Sequence, residues 1–182
     1  IIEEVVASGL KEVIFVTRPG GNLILDYFKQ KPRSKKILKA KYRSHFSKEL
    51  EALENLSKKV SFSQVVQKKP LGDGHAVLQA KNLIKGEPFA VLFADDVVEA
   101  EAPALCQLIK IFRKYQSPIV SIYRLPREKL PAYGIVKVKE IDKRIYRIED
   151  IVEKPTIDKA PSDLAIVGKY VLLPEIFDSP IV

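Results

Sequence analysis

Two periods of apolar residues alternate along this chain. From Ile1 to Ser8 apolar and acidic residues recur at helical spacing, and Gly9 stands where a helix C-cap belongs. Val13-Ile14-Phe15-Val16-Thr17 is a continuous block of β-branched and aromatic residues, which predicts a buried strand closed by the Pro19-Gly20-Gly21 turn. Asn22 then offers an N-cap for a short helix through Leu23, Leu25, Tyr27 and Phe28. Leu50, Leu53 and Leu56 share one side of a helix predicted over 47–59, and Ser61 to Val66 reads as a second strand. The loop Gln67 to Gly74 leads into a helix over 76–82. Phe89 to Phe93 is apolar at every position and stops at two carboxylates, Asp95 and Asp96. Such a run predicts a strand of a parallel sheet, covered on both faces.

A helix over 102–115 and a strand over 119–123 continue the alternation of βαβ units. From Tyr133 the pattern changes. Gly134 to Lys139 alternates apolar and basic residues as a half-exposed strand does, Arg144 to Glu153 predicts another strand, and Ala165 to Leu172 a third, with Pro174 opening a helix. The expected fold is therefore α/β and Rossmann-like. It has a mixed, mainly parallel sheet, flanking helices and a single domain over 1–182.

Composition narrows the class. With 46% hydrophobic and 30% charged residues the chain has the make-up of a globular domain, and no apolar run is long enough to cross a bilayer. Cys106 is the only cysteine, which excludes an internal disulfide and favours a cytoplasmic setting; within a helix it reads as an apolar filler. The net charge of +8 is concentrated between Lys29 and Arg43, where eight basic residues meet no acid. No aromatic platform accompanies them, so a solvated basic face is favoured over a nucleic-acid site. The chain has no methionine, opens in mid-helix and ends on Pro180-Ile181-Val182, which reads as a fragment cut at both ends.

Three places carry chemistry. Asp95 and Asp96 lie just beyond a strand's carboxyl end, where α/β sheets bind ligands, and carboxylates there suit a hard cation such as Mg²⁺; capping of the next helix is the alternative. In Gln67 to Ala76, Gly72 and Gly74 allow close backbone approach, the Gln67 amide suits a pyrimidine edge, and His75 is either a base or phosphate ligand or a structural histidine. Glu153 can accept two sugar hydroxyls and Lys154 can neutralise a phosphate, although such a pair is also ordinary on a surface.

Taken together, Gln67…Gly72-Asp73-Gly74-His75-Ala76, Phe93-Ala94-Asp95-Asp96, Ala132-Tyr133-Gly134-Ile135-Val136, Val152-Glu153-Lys154-Pro155 and Leu164 to Leu172 resemble the bacterial UTP–glucose-1-phosphate uridylyltransferases, in the same order. The likeness covers nearly the whole chain, least after Phe28. It implies that Gln67 and Gly72 contact the uracil-ribose end and that Asp95 holds Mg²⁺. It places Tyr133 and Gly134 at the glucose, Glu153 on its hydroxyls, Lys154 on the sugar phosphate and Gly168-Lys169 along the sugar side. The implied reaction is nucleotidyl transfer from UTP to glucose 1-phosphate, giving UDP-glucose and pyrophosphate, with Asp95 and Lys154 as catalytic residues and a homo-oligomeric parent protein.

Relative to that family, the Gly-rich nucleotide loop, the strand before it and the C-terminal region are missing. These 182 residues alone are therefore expected to be weakly active or inactive. Asp163 stands where the family has Asn, and Asp73 adds a charge to the base loop. The competing readings are a thymidylyltransferase or other sugar-1-phosphate nucleotidyltransferase, a non-catalytic sugar-nucleotide-binding module and, last, a nucleic-acid binder.

Overall fold

The structure, a computed structural model, describes residues 1–29 and 55–178. Helix α1 (Ile2–Ala7) is short, and it stops because Gly9 takes φ +78°. The Gly9 N–H donates to Val6 O at 3.0 Å and the Leu10 N–H to Val5 O at 3.2 Å, the paired bonds of a Schellman stop. The chain then enters β1 (Glu12–Thr17), turns through Gly20, and forms α2 (Leu23–Phe28). Asn22 occupies the N-cap position without capping: its side-chain oxygen accepts from the Gln64 amide at 3.1 Å. The predicted helix over 47–59 falls mainly outside the described residues, and within them 55–57 are helical.

Strand β2 (Ser61–Val66) pairs in parallel with β1, Glu12 opposite Ser61 through Thr17 opposite Val66. Phe15, Phe28 and Phe62 stack over this pair with ring centroids 4.7–5.6 Å apart, which fixes α2 on its face. Helix α3 (Asp73–Gln79) begins three residues earlier than predicted, so Asp73 and Gly74 belong to its first turn.

The second sheet is built around β7 (Leu164–Leu172), a strand buried along most of its length. Strand β3 (Phe89–Leu92) lies antiparallel along one edge of β7, from Phe89 opposite Leu172 to Leu92 opposite Lys169. Strand β4 (Ile119–Arg124) lies antiparallel along the other, with a register shift between Val120 and Ser121. A hairpin of β5 (Gly134–Asp142) and β6 (Ile145–Glu153) joins through Ile135 opposite Ala165. Every pairing within this sheet is antiparallel. Strands β3 and β4 do run the same way, as βαβ units require, but β7 is threaded between them. The only direct parallel pairing among the described residues is β1 with β2. Inside β5, Ile135 and Val136 are both buried, so the expected alternation of a half-exposed strand fails where the hairpin meets β7.

Helix α4 (Ala104–Tyr115) covers the sheet with one apolar face. Leu105, Leu108, Ile109 and Phe112 fall at helical spacing and join Val5, Val13, Ala90, Leu92 and Val171 in the main core. Neither Asp95 nor Asp96 caps it, because Pro103 occupies the N-cap position; the Leu105 N–H is satisfied instead by the Glu4 carboxylate of α1, at 2.9 Å. Cys106 faces α1, half-buried, with its sulfur 3.2 Å from Ser8 Oγ. Pro174 opens a 3₁₀ turn (Pro174–Asp178) in place of an α-helix, and another 3₁₀ segment (Arg127–Ala132) precedes β5.

Candidate functional site

The segment after β3 is strapped to β7. The Phe93 N–H donates to Gly168 O at 2.9 Å, and the Gly168 N–H donates to Asp96 Oδ2 at 2.6 Å. The Phe93 ring packs edge-on against Tyr170 at 5.5 Å. No side chain other than hydrogen fits at position 168, since an added Cβ would lie 2.4 Å from Phe93 Cδ2 and 2.5 Å from Asp96 Oδ2. The two adjacent carboxylates therefore have different environments. Asp96 is committed to the fold. Asp95 is exposed, and among the described residues no hydrogen bond or ion pair holds its side chain.

The hairpin brings a second pair of motifs together. Gly134 and Glu153 are register partners at the open end of β5 and β6, and a Cβ on Gly134 would sit 3.0 Å from Glu153 Oε2. Lys154 adopts φ +46°, a left-handed conformation that costs a lysine about 1–2 kcal/mol. Its N–H donates to Tyr133 O at 3.1 Å, which anchors the turn, while its ammonium lies 3.7 Å from Glu153 Oε1 at the surface.

In the third motif, Gly72 takes φ +96° and ψ 177°, a region open only to glycine. The Gln67 amide nitrogen donates to Gly72 O at 3.1 Å and lies 3.0 Å from His75 Nδ1. The other imidazole nitrogen lies 3.2 Å from the Gln79 amide, so His75 has structural partners on both sides.

These motifs converge on Tyr170. Burial holds its phenol above the ordinary value, and the carboxylates of Asp73, Asp96 and Glu153 push it the same way. One tyrosine thus feels the start of α3, the segment after β3 and the end of β6. Lys169 is placed differently from its neighbours: its side chain is only 1% exposed, and its ammonium meets Asp96 O at 2.8 Å and Glu4 Oε2 at 3.1 Å. Asp163 pairs with Arg124 at the end of β4, a contact an asparagine would make without charge. Sequence reasoning overlooked Glu4, Tyr170 and Arg124. For Glu4 a signal existed, an acid beside Val5, the buried residue of α1.

A magnesium ion fits this donor set in one form. Among the described residues no group of three His, Cys, Asp or Glu side chains could cage a metal. Mg²⁺, however, is usually held by one or two carboxylates together with ligand phosphates and water, and the free Asp95 carboxylate suits that arrangement.

The chain belongs to the nucleotidyl transferase family, whose family model matches residues 2–181. It is 40% identical over 177 residues to the UTP–glucose-1-phosphate uridylyltransferase of Bacillus subtilis (strain 168), covering 97% of this chain and 60% of that protein. It is 37% identical over 178 residues to UTP–glucose-1-phosphate uridylyltransferase 1 of Staphylococcus saprophyticus, covering 98% of this chain and 61% of that one. A solved UDP-glucose pyrophosphorylase complexed with UDP-glucose superposes with a TM-score of 0.83 at 33% identity, over 97% of this chain and 64% of that chain. The chain thus spans about 60% of the length of the curated relatives it matches. No helix among the described residues is long and apolar enough to cross a membrane.

Proposed function

We propose that the protein transfers a uridylyl group from UTP to glucose 1-phosphate, releasing pyrophosphate and forming UDP-glucose. The observation that carries this reading is the free Asp95 carboxylate beyond the carboxyl end of β3, together with the Glu153 and strained Lys154 turn at the end of β6, in a chain 40% identical to a uridylyltransferase. In this reaction an oxygen of the sugar phosphate attacks the α-phosphorus in line, and pyrophosphate leaves. Little covalent chemistry falls to the protein, which supplies position and charge. Lys154 is fixed by its main-chain bond to Tyr133 O, with its ammonium available to a sugar phosphate. Glu153 packs over the bare Gly134 backbone, and its carboxylate accepts hydrogen bonds from the sugar hydroxyls. Gln67 and Gly72 form the base end. Asp95 would hold Mg²⁺, which supplies neutralisation of phosphate charge when bound. The lone Cys106 supports a cytoplasmic setting, and homo-oligomer formation is part of the same proposal.

Calorimetric titration of the chain with UDP-glucose, with and without Mg²⁺, tests this reading beside Asp95→Ala. Binding should strengthen with Mg²⁺, lose that gain in the variant, and exceed binding of dTDP-glucose. A folded chain that binds neither nucleotide sugar, or that prefers dTDP-glucose, would overturn it.

A further inference from the structure

Lys169 is a buried charge that the reading above leaves without a task. Its side chain is 1% exposed and that of its partner Glu4 only 11%. Burying such a pair carries a desolvation penalty that apolar residues of similar volume would avoid, so its presence asks what the charges hold. The geometry answers. The Lys169 ammonium donates to Asp96 O at 2.8 Å and pairs with Glu4 Oε2 at 3.1 Å. Glu4 Oε1 accepts the Leu105 N–H at 2.9 Å, at the first turn of α4. The adjacent Gly168 holds the Asp96 side chain and the Phe93 N–H, as described above. The main chain is therefore fixed at Phe93 and at Asp96, on either side of Asp95, and the final fixing point is the Lys169 ammonium.

We propose that Lys169 and Glu4 form a positioning pair that sets the orientation of Asp95 toward a divalent cation and the phosphates it accompanies, tying α1 and α4 to the ligand-binding edge. Lys169 itself touches no ligand; it acts through Asp96. The inference rests on the proposed role of Asp95. Removing the ammonium frees the Asp96 carbonyl, and the turn carrying Asp95 gains alternative orientations. Groups that orient a metal ligand typically matter 10- to 100-fold in metal affinity, about the loss expected here.

The test uses Mg²⁺ and UDP-glucose as probes and reads the Mg²⁺-dependent gain in UDP-glucose affinity by calorimetry. Lys169→Met should lower that gain by about tenfold or more, and Lys169→Arg should restore much of it. Because Lys169→Met leaves Glu4 unpaired in the interior, the double variant Glu4→Gln/Lys169→Met is measured too, with unfolding followed by circular dichroism. In an Asp95→Ala background Lys169→Met should have no further effect on the Mg²⁺-dependent gain. A folded double variant with an undiminished gain overturns the positioning role while the Asp95 reading stands. A wild-type chain that gains nothing from Mg²⁺, or an Asp95→Ala variant that keeps the gain, overturns both.

Discussion

Gly168→Ala is the substitution whose cost the structure specifies most closely. Its Cβ would lie 2.4 Å from Phe93 Cδ2, 2.6 Å from Phe93 Cβ and 2.5 Å from Asp96 Oδ2. Rotating the Phe93 ring relieves the first contact but not the second, since Phe93 Cβ moves only with the backbone. The segment after β3 must therefore part from β7, stretching the 2.9 Å Phe93-to-Gly168 bond and the 2.6 Å bond to the Asp96 carboxylate. Overpacking of this kind costs about 1–3 kcal/mol, and a hydrogen bond to a charged group contributes about 1.5–3 kcal/mol. The two are coupled rather than additive, so a loss of about 2–4 kcal/mol is expected. Urea unfolding followed by circular dichroism measures it, with an unchanged m-value showing that the unfolded state is unaffected. At this chain length the loss corresponds to a fall in Tm of about 5–15 °C. Gly74→Ala is the control, because nothing lies within 4 Å of its added Cβ and the residue is helical, so stability should hold or rise by up to about 1 kcal/mol. If Gly168→Ala costs less than about 0.5 kcal/mol, an ordinary surface value, the close packing of β7 on Phe93 is not what holds the Asp95 segment.

Two further outcomes are expected. Lys154→Gly should be about 1 kcal/mol more stable than Lys154→Ala, because φ +46° strains any residue with a Cβ, while both variants lose affinity for UDP-glucose; equal stabilities in urea would refute the strain. For Tyr170 the folded phenol ionises at higher pH than the unfolded one, through burial first and then the carboxylates of Asp73, Asp96 and Glu153. Its contribution to stability is complete below about pH 10 and is lost as pH rises through the folded value. Tyr170→Phe should accordingly flatten the alkaline fall in urea midpoint, and an unaltered fall would remove Tyr170 from the cluster.

The local elements and the chemical motifs were legible in the chain because each rests on neighbours in sequence. Strand β2 and helix α4 were legible almost to the residue, and Gly9 marked the end of α1. The carboxylates after Phe93 stood out as polar groups at a strand end, whereas the Glu153-Lys154 pair, ordinary on a surface, gained weight only from its place among the other motifs. Tertiary structure decided the rest, since it depends on contacts between residues far apart in sequence. Patterning shows that β7 is buried but not that it lies between β3 and β4, so the strand directions were foreseeable and their direct pairing was not. Two adjacent aspartates are equivalent on the page. Only the crossing of β7 makes Asp96 a structural anchor and leaves Asp95 free. Likewise a lysine in an apolar strand reads as a candidate ligand until its partner is known. That partner, Glu4, lies at the far end of the chain, and folding alone brings it within 3.1 Å.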